Sequence, residues 1–66
     1  MRLTINGDAH EIAEGQTLTA LLAQLELDGR RLAVERNREI VPKSAYGVTR
    51  LAEGDAIEIV HFVGGG

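Results

Sequence analysis

Thr17-Leu18-Thr19-Ala20-Leu21-Leu22-Ala23-Gln24-Leu25 decides how the rest of this 66-residue chain is read. Leu18, Leu21, Leu22 and Leu25 recur at i, i+3, i+4 and i+7, which lays one apolar stripe along an amphipathic helix. Thr19, Ala20, Ala23, Gln24 and Glu26 cover the remaining surface. Gly15-Gln16 breaks the preceding pattern, and Thr17 is a suitable N-cap, because its hydroxyl can accept a backbone N–H left over at the helix start. Asp28-Gly29 is expected to end the helix, with Gly29 in the left-handed position just past it. A helix with one apolar stripe needs an apolar surface to lie on.

The flanking sequence supplies that surface as strands. Upstream, Met1, Leu3 and Ile5 alternate with Arg2 and Thr4, the period-2 pattern of a half-buried strand. Asn6-Gly7 follows, the pair preferred in a two-residue type I′ hairpin turn, where both positions need positive φ. That turn sets Ile5 opposite Asp8, Leu3 opposite His10 and Met1 opposite Ile12, and the second strand is expected over about Asp8 to Ala13. Downstream, Leu32 and Val34 alternate with Ala33 and Glu35 as a third strand. Asn37-Arg38-Glu39 turns into the short run Ile40-Val41, which Pro42 stops by removing a ladder donor. Lys43 to Arg50 reads as irregular. Leu51-Ala52-Glu53-Gly54-Asp55 reads as a tight turn, and Ala56 to Phe62 as a closing strand with Ile57 and Ile59 facing one way and Glu58 the other. The expected class is α+β, a mixed sheet of four to five strands with one helix across one face. A closing strand parallel to the first needs a right-handed crossover, and the helix lies in the span that provides it.

Size and composition bound the function. A chain this short buries only about 60% of the surface its unfolded form exposes. A deep pocket of several hundred cubic ångströms is not expected in it, which argues against a self-sufficient enzyme and for a protein that acts with larger partners. Cysteine is absent, so there is no disulfide, thiolate metal site or nucleophilic thiol, which fits a reducing cytoplasm. The first residues alternate too strictly for a signal-peptide core, and no apolar run approaches the roughly 20 residues of a membrane helix. The protein is therefore expected to be soluble and cytoplasmic, with no membrane role. Its net charge is −3, which gives no general reason to seek nucleic acid. Arg30, Arg31, Arg36, Arg38, Lys43 and Arg50 do concentrate in the middle of the chain. With Tyr46 and Phe62 as its sole aromatics, the chain lacks the interleaved rings of a base-stacking surface, and a solvated face is the preferred account.

The sequence closes on Gly64-Gly65-Gly66. Glycine costs more conformational entropy to order than any other residue, so residues 63–66 are expected to form a flexible tail on a domain of residues 1–62. Extended, Val63 to Gly66 reaches at most roughly 14 Å, enough to carry a carboxylate into a partner's active site. A carboxylate is a poor electrophile, and chemistry at Gly66 needs activation from outside, because no helix follows the glycines to make them a phosphate loop. A frayed end or a cloning remnant accounts for the composition equally well.

The Asn6-Gly7 hairpin, Gly15-Gln16-Thr17-Leu18 opening a Leu21-Leu22 helix, Asn37-Arg38-Glu39-Ile40-Val41-Pro42, Leu51-Ala52-Glu53-Gly54-Asp55, Ile57-Glu58-Ile59-Val60 and the closing glycines together resemble the sulfur carrier proteins of thiamine biosynthesis. The resemblance covers essentially the whole chain and implies a ubiquitin-like β-grasp fold. It also implies a cycle. An adenylyltransferase of the ubiquitin-activating type uses ATP and magnesium to adenylate the last glycine, here Gly66, which Gly65 precedes. A persulfide donor then supplies the sulfur of a thiocarboxylate, and thiazole synthase takes that sulfur. The chain itself would bind no cofactor and would be monomeric alone, a carrier and not an enzyme. Gly64 is one glycine more than a minimal Gly-Gly ending, and Asn37-Arg38 stands where many members have Asn-Gly.

Phe62, Val63 and Gly64 are candidate partner-binding residues at the root of the tail; for Phe62 and Val63, packing on the domain's own core is an equal alternative. His10 and His61 lack a third ligand for zinc and are read as structural. Glu53 and Asp55 read as parts of an ordinary turn, and Tyr46 as a satellite of the core. Competing functions are the small subunit of molybdopterin synthase, a ubiquitin-like modifier that joins Gly66 to lysines, and a β-grasp interaction domain with an inert tail.

Overall fold

The computed structural model describes residues 1–62. The N-terminal hairpin forms as its turn pair dictates. β1 (Arg2–Ile5) and β2 (Asp8–Glu11) are antiparallel, with Leu3 opposite His10 and Ile5 opposite Asp8. Asn6 and Gly7 sit at φ 51° and 86°, both in the left-handed region that a type I′ turn requires. The regular pairing of β2 ends at Glu11, two residues short of the expected Ala13. Ile12 still exchanges both backbone bonds with Met1 and is buried.

Helix α1 (Leu18–Gln24) starts as expected, with the Thr17 hydroxyl accepting the Ala20 N–H at 3.2 Å. Leu18, Leu21 and Leu22 are fully buried along its stripe. Its end differs from the expectation. The helix stops at Leu25, and Glu26, not Gly29, takes the left-handed position at φ 59°. The Glu26 N–H bonds the Ala23 carbonyl and the Leu27 N–H bonds the Leu22 carbonyl, a Schellman motif. Leu27 then tucks against the core next to the last turn. Burying Leu27 outweighs the unfavourable φ at Glu26, a tertiary effect that a search for glycine misses. Asp28-Gly29 instead opens a 3₁₀ turn, Gly29–Arg31, which the Asp28 carboxylate caps.

β3 (Leu32–Arg36) and β4 (Glu39–Val41) are joined by Asn37-Arg38, at φ 52° and 70°. The segment expected to be irregular holds a second 3₁₀ turn, Lys43–Ala45, and then runs beside the helix start. There Leu18 N–H bonds Thr49 O, Thr19 N–H bonds Tyr46 O, and Leu51 N–H bonds Gln16 O. Tyr46 is consequently part of the main core and not a satellite of it.

β5 (Ala56–His61) closes the sheet, which has five strands in the order β2-β1-β5-β3-β4. β5 lies parallel to β1 and antiparallel to β3, so the last strand is the central one. Leu3, Ile5, Leu32, Val34, Ile57 and Ile59 face the helix stripe and make one core with it. A helix crossing one face of a mixed sheet whose first and last strands lie parallel at its centre is the β-grasp arrangement of ubiquitin-like proteins.

Candidate functional site

Because β5 is central, the last described residues, His61 and Phe62, lie at the middle of the sheet and not at an edge. Two asparagines fix the strand from opposite sides. On the β1 side, Asn6 N–H bonds the Ile57 carbonyl at 2.8 Å. Its Oδ1 accepts from Ile59 N–H at 2.8 Å, and its Nδ2 donates to Ile59 O at 3.3 Å. The side-chain amide thus stands where the next peptide group of β1 would be, had the chain not turned. On the β3 side, Asn37 N–H bonds the Ala56 carbonyl at 2.8 Å, and its Oδ1 accepts from Ala56 N–H at 2.9 Å.

The remaining donor of Asn37, Nδ2, reaches Asp55 Oδ1 at 3.1 Å. Asp55 is buried, and its other oxygen accepts from Ala52 N–H at 2.8 Å and lies 3.1 Å from Arg36 Nε. A buried carboxylate without partners would cost several kcal/mol, roughly, and this one has three. The expected turn forms, with the Asp55 N–H bonding the Ala52 carbonyl at 3.1 Å. The Asp55 side chain has a further role that the turn alone does not require: it ties the turn before β5 to the β3–β4 hairpin. Glu53 Oε1 accepts from Arg2 N–H at 2.9 Å and is exposed. No feature of composition marks this cluster. The signal available was asparagine at the first position of both turns, since its amide can bond a neighbouring backbone as glycine cannot.

Where β5 ends, Phe62 N–H bonds the Arg31 carbonyl at 3.0 Å. Phe62 itself is 60% exposed, its ring lying outside the core with Lys43 Nζ 5.6 Å from its centroid. Lys43 also donates to the Arg30 carbonyl at 3.0 Å. Arg30 makes a two-pronged pair with Asp28, at 3.1 Å for each bond. Those side-chain hydrogen bonds, and then the one from the Arg30 amide, lower the Asp28 pKa to about 2. Val63, Gly64, Gly65 and Gly66 lie outside the described residues.

The basic residues of mid-sequence do not gather into one patch. Arg36 pairs with Asp55 at the start of β5, Arg50 donates to the Gly15 carbonyl near the helix start, and Arg30, Arg31 and Lys43 lie near Phe62. His10 is half-buried opposite Leu3 and His61 is exposed opposite Leu32, on different strands. Among the described residues no three metal-ligating side chains cluster. Against the expectation of no pocket of several hundred cubic ångströms, a cleft of about 380 Å³, bordered by Arg36, Asn37, Pro42 and Thr49, opens by the β3–β4 turn, at the opposite end of β5 from Phe62. It is broad and open to solvent, not an enclosing pocket. No described helix is long and apolar enough to cross a membrane.

A β-grasp domain whose central strand leads straight to a glycine-rich run has the build of the ubiquitin-like carriers. Residues 3–66 match the model of the ThiS family. The sulfur carrier protein ThiS of Bacillus subtilis is 45% identical over 65 residues, which span 97% of this chain and 98% of that one. The Escherichia coli protein of the same name is 32% identical along the full length of both. A crystal structure of thiamine biosynthesis protein ThiS from Geobacter metallireducens superposes with a TM-score of 0.87 at 36% identity, covering both chains completely. The chain belongs to the ThiS family. It also matches thiazole synthases of Paramagnetospirillum magneticum, at 50% identity, and Magnetococcus marinus, at 44%, and spans about a fifth of the length of each.

Proposed function

We propose that this chain is a sulfur carrier of thiamine biosynthesis, a co-substrate of partner enzymes and not itself an enzyme. The observation that carries this is family membership over residues 3–66, a span that includes the closing glycines. An adenylyltransferase of the ubiquitin-activating type, using ATP and magnesium, activates the carboxyl group of Gly66: a carboxylate oxygen attacks the α-phosphate and pyrophosphate leaves. The terminal sulfur of a persulfide donor displaces AMP to give an acyl disulfide. A second thiol then cleaves its S–S bond, forming a disulfide with the donor and releasing the thiocarboxylate. The body contributes position. β5 is held on both edges as far as Ile59 and on the β3 side as far as Phe62, which gives a partner a fixed surface to grip next to the reacting end of the sequence.

Thiazole synthase is the proposed acceptor. Two proteins of that name contain a segment like this chain within one polypeptide, which supports a working association between the two parts. We place the cycle in the cytoplasm, with the chain monomeric between partners and no role for nucleic acid.

The test is the intact mass after incubation with the purified adenylating enzyme, ATP, a persulfide donor and a reducing thiol. One oxygen of Gly66 is expected to exchange for sulfur, and a chain lacking Gly65 and Gly66 is expected to stay unchanged. An unchanged mass alongside an enzyme that charges its own carrier overturns the proposal. Growth of a deletion strain on the thiazole moiety separates a thiamine carrier from a molybdopterin one.

A further inference from the structure

The face of β5 that points away from the helix changes character along its length. At the tail end, Phe62 lies exposed under the Lys43 ammonium, and its N–H bonds the carbonyl of the exposed Arg31. Neither Arg31 nor Lys43 makes an ion pair with a described residue. Two residues back, Val60 is 57% exposed opposite Ala33. Two further back, Glu58 stands directly opposite Glu35, whose other neighbour is the exposed Ile40. Like charges directly opposite in a sheet are destabilising, and neither glutamate has a cation paired with it among the described residues. From Phe62 to Glu58 is about 13 Å along the strand. The face therefore runs from cationic through apolar to anionic on a protein whose other close charges, Arg2 with Glu11, Arg30 with Asp28 and Arg36 with Asp55, are already paired.

We propose that this face is a polarised docking stripe for the adenylating enzyme that receives the tail. The complementary surface has carboxylates around the entry of the tail channel, an apolar floor under Val60 and a basic side chain about 13 Å further on. This rests on the carrier function proposed above. Its logic is reach and orientation. Four extended residues span at most roughly 14 Å, so a channel that reacts with Gly66 must bring its rim against Phe62 and the cations beside it. An apolar patch alone lets the domain rotate on the rim. Opposite charges at the two ends penalise every orientation but one, and they act on encounter before close contact forms.

The test follows ATP-dependent adenylation of the whole chain by its purified adenylating enzyme, read as pyrophosphate release, with KM and kcat separated. Arg31→Glu with Lys43→Glu is expected to raise KM on the order of tenfold at about 50 mM salt with kcat unchanged, and the loss is expected to shrink at about 300 mM. Glu35→Lys with Glu58→Lys is expected to raise KM as well. Urea melts establish that the variants fold. Independently of any variant, the wild-type KM is expected to rise with salt, and a salt-independent KM overturns the proposal. Unchanged KM in both folded variants overturns it too. Binding of a labelled single-stranded RNA that the Arg31→Glu, Lys43→Glu variant loses, with KM unmoved, assigns the cationic end to nucleic acid and also overturns it. A wild-type chain that is never charged removes the carrier function, and the stripe falls with it.

Discussion

The two type I′ turns of this domain have nearly the same backbone and do the same work from opposite edges of β5. Asn6-Gly7 and Asn37-Arg38 both begin with an asparagine near φ 50°, and each asparagine gives its N–H to a β5 carbonyl and takes a β5 N–H on its Oδ1. They differ in two places. The Asn6 Nδ2 returns to Ile59 O on the strand itself, at a stretched 3.3 Å, whereas the Asn37 Nδ2 reaches the buried Asp55 carboxylate at 3.1 Å. The second turn residue is glycine in one and arginine in the other, at φ 86° and 70°. A turn residue can thus be chosen for its own conformation, as Gly7 is, or for what its side chain holds elsewhere, as the asparagines are.

Breaking the Asn37 side is expected to cost most. Asn37→Ala removes an acceptor from Ala56 N–H and a donor from a buried carboxylate, and places alanine at positive φ. The sum is a loss of about 2–4 kcal/mol, measured by urea unfolding. Asn6→Ala strands one strand N–H, removes a longer bond to a neutral carbonyl and places alanine at nearly the same positive φ, for a loss of about 1–3 kcal/mol. Equal losses at the two sites would mean that the Asp55 contact adds nothing. Asn37→Gly and Asn6→Gly separate the amide from the backbone, since glycine accepts the φ of both sites.

The fold was legible where residues act on their neighbours in sequence. The leucine stripe, the Thr17 cap, the Asn6-Gly7 turn and the alternation of Ile57 and Ile59 each state a local preference, and the structure obeys them. What stayed hidden acts across the chain. Glu26 takes the left-handed position because Leu27, one residue on, has a core to reach. Asp55 is buried because Arg36 and Asn37, 19 and 18 residues earlier, come round the sheet to meet it. Phe62 could be placed at the end of the central strand, but its exposure depends on what β3 and the Lys43 turn leave open. The Gly64-Gly65-Gly66 run was legible by composition and family pattern alone.

Arg38 offers the converse test. A non-glycine residue in the left-handed region carries a cost of roughly 1 kcal/mol, and the Arg38 side chain is exposed and in no ion pair with a described residue. Arg38→Gly is expected to stabilise the domain by up to about 1 kcal/mol, and Gly7→Ala to destabilise it by a similar amount. No Cβ clash is involved at Gly7, where nothing lies within 4 Å, so the two changes isolate backbone conformation. A neutral Arg38→Gly would mean that its side chain holds something the contacts do not reveal.

The smallest effect is expected at the tail end of β5, where neither asparagine reaches. Asp28 caps the turn whose Arg30 and Arg31 carbonyls hold Lys43 and Phe62. Its carboxyl pKa falls from 3.8 to about 2 in the folded chain. A lowered carboxyl pKa means that folding favours the ionised form, so its contribution is whole above about 4 and disappears as the pH drops through about 2. The pair with Arg30 lies at the surface, so solvent screening leaves little to lose in stability. The amide resonances of Arg30 and Phe62 report it more directly. Both are expected to titrate with a midpoint near 2, while the Ala56 and Ile59 amides held by Asn37 and Asn6 do not follow that midpoint. Asp28→Asn should abolish the transition. A midpoint close to 3.8 would mean that Arg30 does not hold Asp28 in solution, and the tail end of β5 would then rest on the Arg31 carbonyl alone.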